Sequence, residues 1–170
     1  APAAAAACVV TTLADGGAGS LRAALGNTNG FSNCTAITFQ AGLAGTIDLA
    51  SDLPTVTNRT VVVTGPGAGG ITVDRNGGIL AMAFTVGTGG DLTLAGLTVT
   101  GAFVAVFLVS NTAKAMVTDS TLYENSAALG VNSGGEATVA NSTLIGGDTG
   151  LSFVNGGTAT VVNSTLSVFS

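Results

Sequence analysis

The chain has 170 residues, 46% of them hydrophobic, 8% charged and 5% aromatic, with 26 Gly, no His, no Trp and a formal net charge of −5. Four Lys and Arg cannot build the basic surface that nucleic acid requires, and without His the Ser-His-Asp and Cys-His arrangements and the usual zinc sites are excluded. A chain this apolar is not disordered, and its length suits one domain whose core is filled by Val, Leu, Ile, Ala and Thr.

Residues 1–8 (APAAAAAC) form an Ala-rich leader of the kind left when a signal peptide is cleaved after a small residue. Residues 9–59 predict an N-terminal cap with the first rungs, and 60–170 the regular coils of the same domain. Cys8 and Cys34 both precede strand-like runs (VVTT and TAITF), so a disulfide between neighbouring strands suits them in an oxidising compartment; two buried free thiols are the alternative. In GSLRAALGN (19–27), Ser20 is a helix N-cap, Leu21 and Leu25 lie four apart, and Gly26-Asn27 is a stop signal. Such a helix would cover the end of a stack. GTIDLASDLP (45–54), TVVVTG (60–65), ITVD (71–74) and AFTV (83–86) read as strands between Gly-rich bends.

GPGAGG (65–70) satisfies the dinucleotide fingerprint in form, but a strand follows it where a helix would have to hold the pyrophosphate. A bend between strands is the reading. The longest apolar run, 102–109, is far short of the ~20 residues of a spanning helix. No membrane span is expected.

Repeats dominate the second half. GGDLTLAGLTVTG (89–101), GGEATVANSTLIGG (134–147) and GGTATVVNSTLSVF (156–169) superpose, and TAKAMVTDSTLYEN (112–125) fits the same frame. Thr98, Thr121, Thr143 and Thr165 recur at steps of 23, 22 and 22, and Asn111, Asn132 and Asn155 form a second series. Strands of three to five residues cannot bury their own apolar face. Stacked on like turns at ~4.8 Å they enclose a continuous narrow core. The expected fold is all-β, a right-handed parallel β-helix of about 22-residue coils with a short N-terminal capping helix.

TTLADGGAGSLRAAL, AITFQAGLAGTIDLASDLP and VVVTGPGAGGITVDRNG together resemble the N-terminal part of exported right-handed β-helix repeat proteins, the CSLREA or polymorphic-outer-membrane-like bacterial surface proteins. The resemblance covers about residues 9–101. It implies fold and export and says little of activity, because this fold carries lyases, hydrolases, adhesins and fibres alike. Members of that group are usually much longer; this chain stops part-way through a coil at NSTLSVFS, which predicts an open end.

The nine acids are scattered through turns, and Asp119 takes the bend position of Asn141 and Asn163, as a structural Asx ladder would. Glu124 and Asp148 fall near one edge, Asp74-Arg75 is the only adjacent acid–base pair, and the seven Phe read as core. Neither a catalytic residue, a cofactor nor a metal site is expected, and the GGxGxD calcium repeat is absent. Asn33, Asn58, Asn141 and Asn163 head N-x-T sequons, for which turn geometry is the plain explanation and glycosylation the functional one. Outward rows at Thr98, Thr121, Thr143 and Thr165, with Thr138 and Thr160 on the adjoining strand, would suit an adhesin or an ice-binding face. The leading expectation is a non-enzymatic exported structural protein at the cell surface or outside the cell. Copies would stack head to tail into a filament through an open end at Val161, Leu166, Val168 and Phe169. A module binding carbohydrate or ice comes second, and a polysaccharide lyase or hydrolase third.

Overall fold

The computed structural model describes residues 6–168. Short β-branched runs, broken wherever Gly or Asn permits a turn, become the strands β1 (Ala6–Val10), β2 (Cys34–Phe39), β3 (Gly45–Asp48), β4 (Thr60–Thr64), β5 (Ile71–Asp74), β6 (Met82–Val86), β7 (Asp91–Ala95) and β8 (Thr98–Thr100). Then come β9 (Val104–Leu108), β10 (Lys114–Thr118), β11 (Thr121–Asn132), β12 (Glu136–Ala140), β13 (Thr143–Val154), β14 (Thr158–Val162) and β15 (Thr165–Val168), with one helix, α1 (Leu21–Gly26), near the start. All pairings are parallel, and the strands coil into a β-solenoid of about 6 turns. One face is the sheet β1-β2-β4-β7-β10-β12-β14; a second is β3-β5-β8-β11-β13-β15. A third face stacks β6 on β9 and β9 on the far half of β11, because β11 and β13 run on around the corner.

Register explains the narrow core. On the first face Leu94, Val117, Val139 and Val161 lie directly above one another, and on the second Ile47, Val73, Val99, Leu122, Leu144 and Leu166 do. Each inward side chain thus meets a similar one a rung away, and burying each Val or Leu contributes about 1.5–3 kcal/mol. Aromatics fit such a column poorly. Of the seven Phe expected in the core, Phe84 is fully buried, whereas Phe103 and Phe153 are exposed and Phe31, Phe39 and Phe107 half-buried.

The bend between the first and second faces is a repeated device. Gly96, Asp119, Asn141 and Asn163 all adopt left-handed φ between 47° and 65°, as the expected Asx ladder requires. The N–H groups of the first three reach the next coil, Gly96 donating to Thr118 O at 3.1 Å, Asp119 to Ala140 O at 3.2 Å and Asn141 to Val162 O at 3.1 Å. The serines after Asp119, Asn141 and Asn163 form a chain that is buried at Ser120 and Ser142: Leu97 N donates to Ser120 Oγ, Ser120 N to Ser142 Oγ and Ser142 N to Ser164 Oγ, at 3.0–3.2 Å. Each hydroxyl in turn donates to the carbonyl two residues back, at 2.7 Å in all three cases. The Asn series behaves differently. Asn132 pairs with Val154, so Asn155 is one residue out of column and instead takes a left-handed turn at φ 58°.

The first end is closed as expected. Ser20 Oγ accepts from Ala23 N, Asn27 caps the helix in the left-handed conformation, and Arg59 donates to the Leu25 carbonyl at the negative end of the helix dipole. Leu21, Ala24 and Leu25 pack with Cys8, Val10, Cys34 and Ile37, so α1 covers the core where a further rung would lie. The disulfide Cys8–Cys34 ties β1 to β2, with Cα atoms 5.6 Å apart, and encloses α1 in its loop. GPGAGG joins β4 directly to β5, a bend between strands.

Candidate functional site

The corner between the second and third faces gathers what the sequence scatters. Asp48 and Asp74 end β3 and β5 in register, and the same column continues through Thr100 and Tyr123. The next position is left-handed in two coils, Gly101 at φ 71° and Glu124 at φ 53°. A Cβ at Gly101 would collide with Asp74 Oδ1, so glycine there answers both the dihedral and the close approach of the carboxylate. Around this corner opens a recess of about 650 Å³, its walls including Asn76, Ile79, Phe103, Glu124, Ser126 and Asp148. Past Asn76 it adjoins a hollow of about 330 Å³ over Asp48, Leu49, Ala50 and Asp74.

Burial pushes the Asp74 carboxyl above its ordinary pKa; the charges of Asp48 and Glu124 push the same way, and a hydrogen bond from the Asn76 backbone opposes them. Asp74 Oδ1 is shut from solvent and has no hydrogen-bond partner. The adjacent Arg75 does not pair with it: Arg75 Nε lies 3.0 Å from Asp52 Oδ1. Arg22 is held by Asp15 at 2.6 Å, Lys114 by Glu136 at 3.0 Å, and Arg59 serves the helix end. No Lys or Arg lines either hollow. In the sequence only Glu124 and Asp148 fall near one edge. Asp48 and Asp74 were findable from the ITVD and GTID runs, which align as equivalent strands.

The opposite end of the solenoid carries the residues expected at a joint. Val161 is 36% and Leu166 41% exposed, whereas Val139 and Leu144, one rung below, are 0% exposed. Val168 is exposed too; Phe169 lies outside the described residues, as do residues 1–5 of the Ala-rich leader. Among the described residues β14 pairs only with β12 and β15 only with β13, while β1, at the other edge of the first sheet, pairs only with β2.

Thr98, Thr121, Thr143 and Thr165 stand in one register column, extended backwards by Thr72 and Thr46. Their exposure is uneven along the column. Thr98 is only 6% exposed, with Oγ1 accepting from Gly69 N in the GPGAGG bend, and Thr121 and Thr143 are half-buried. Thr138 and Thr160 pair directly on the first face, and Met116 stands in that column one rung before Thr138. All four sequon asparagines are exposed and left-handed, Asn33 at φ 52°, Asn58 at 50°, Asn141 at 49° and Asn163 at 47°. Turn geometry accounts for each of them.

Among the described residues no group of three or more Cys, Asp or Glu is arranged to hold a metal ion, and no helix is long and apolar enough to cross a membrane. No family model, no curated protein and no solved structure matches this chain.

Proposed function

We propose that this chain is a non-enzymatic structural protein, exported to the cell surface or beyond, that stacks on copies of itself head to tail into a filament. The observation that carries the reading is the unbroken ladder: Leu94, Val117, Val139 and Val161 stack in register, and the apolar surface of Val161 and Leu166 in the last described rung is of the kind that another rung covers. Covering such surface gains about 25 cal/mol per Å². The open edge of β14 offers unpaired backbone groups to a further parallel strand, and the open edge of β1 in a second copy matches it in parity. Inward Ala159 and Val161 would continue onto inward Cys8 and Val10, and outward Thr160 onto outward Val9. Because this contact joins unlike surfaces, each copy leaves a free edge and growth does not close.

The helix α1 limits the joint. It closes the core at the first end, so the contact rests on the β1 edge and not on a whole open coil. The disulfide supports export, since such bonds persist in oxidising compartments. The resemblance of the opening segment to CSLREA-like surface proteins supports the same placement. A lyase acting on acidic polysaccharide is disfavoured by the recess itself, which offers carboxylates and no cation to neutralise a uronate.

Sedimentation velocity and negative-stain microscopy over a concentration series test the joint. Rods whose length grows with concentration are expected, and Val161→Lys should shorten them by weakening each contact at least about tenfold. Compact monomers at high concentration would overturn the proposal.

A further inference from the structure

We infer that the recess between the second and third faces binds a neutral, hydroxyl-rich ligand, a sugar chain lying along the solenoid. Four successive coils contribute to it: Asn76 follows β5, Phe103 precedes β9, Glu124 and Ser126 lie on β11, and Asp148 on β13. At ~4.8 Å per rung the first and last of these coils are about 15 Å apart, room for several sugar units. The main recess, about 650 Å³, falls within the range of roughly 300–1,000 Å³ usual for ligand sites.

The lining chooses the chemistry. Carboxylates such as Glu124 and Asp148 accept hydrogen bonds when ionised, whereas Asn76 and Ser126 can both donate and accept. A ligand that satisfies them must be rich in O–H donors. Phe103, 36% exposed on one wall, and the protruding Ile79 beside it supply apolar contact for the C–H face of a sugar ring. Phosphate, sulfate and uronate groups meet no Lys or Arg in the lining and would be repelled. The site lies on the side of the solenoid between the second and third faces; its residue nearest the last rung, Asp148, is on β13, whereas Val161 of the proposed joint is on the first face.

Isothermal titration of the whole chain with maltohexaose, cellohexaose and xylohexaose, and with hexagalacturonate and spermine as contrasts, tests the site. At least one neutral hexamer should bind, and Phe103→Ala and Glu124→Gln should each weaken it at least about tenfold while cooperative thermal unfolding is retained. Val161→Lys should bind as the parent does, which separates this site from the joint. Three outcomes overturn the inference: no neutral hexamer binds, both substitutions leave binding unchanged, or hexagalacturonate or spermine binds in preference.

Discussion

The first coils and the last coils of this solenoid solve the same packing problem in different ways. Along the second face, Thr46, Thr72 and Thr98 are 26 residues apart, whereas Thr98, Thr121, Thr143 and Thr165 follow at 23, 22 and 22. The longer early turns carry the helix, the disulfide, the Arg22–Asp15 and Arg75–Asp52 pairs and the loop that walls the recess. The later turns contain little except ladders: a left-handed Asx residue, a buried serine, and a Val or Leu above its equivalent. Repetition stabilises the late coils through like-on-like contacts. The early coils keep the inward ladder of Ile47, Val73 and Val99 and add specific cross-links to it. The extra residues in the early turns are also what make a concave surface there.

On this contrast the late coils should be most sensitive to a break in a ladder. Leu122→Ala removes a fully buried side chain between Val99 and Leu144, and should cost about 2–5 kcal/mol in urea unfolding. The early coils should be most sensitive to loss of the covalent tie. The double variant Cys8→Ala/Cys34→Ala should lower stability by about 2–4 kcal/mol, and hydrogen exchange should rise in β1 and α1 while β12 stays protected.

A smaller effect probes the bend. Ser142→Ala leaves Ser120 N without its acceptor and should cost about 1–3 kcal/mol, whereas Ser142→Thr keeps a hydroxyl there and should lose less. Smallest is a pH effect confined to the early corner. Because the folded-state pKa of Asp74 is raised, chiefly by burial and then by Asp48 and Glu124, folding binds that proton more tightly than the unfolded chain does. Asp74 therefore contributes stability that is complete below the unfolded pKa and is lost as pH rises through the folded one. Thermal melts from pH 7 to pH 4 should show this gain in the parent and not in Asp74→Asn. Equal slopes in the two would mean that the corner carboxylates do not interact in this way.

How much of this could be read from the chain differs between the two regions for the same reason. Where the coil repeats, residues equal in spacing are equal in space, so Thr121, Thr143 and Thr165 fell into one column and Asp119 into the place of Asn141. The helix with its Ser20 cap and the Cys8–Cys34 bridge were legible from local signals. Where the turn lengths vary, spacing no longer gives position. Asp48, Asp74, Glu124 and Asp148 are spread over 101 positions of sequence and meet along one corner. Phe103 sits inside the chain's longest apolar run and reads as core, yet it forms the wall of the recess.

The sequence by itself determined the parallel solenoid, because short β-branched strands at a fixed repeat can bury their apolar faces only by stacking. It also determined the small-residue core that an apolar, charge-poor and aromatic-poor composition demands. Tertiary structure alone decided which side chains face out. Thr98 is covered by a neighbouring bend and Phe103 is not, and the four corner carboxylates line adjoining hollows that hold no Lys or Arg. Exposure depends on the path of each loop over its neighbours, and a repeat period carries no information about that path.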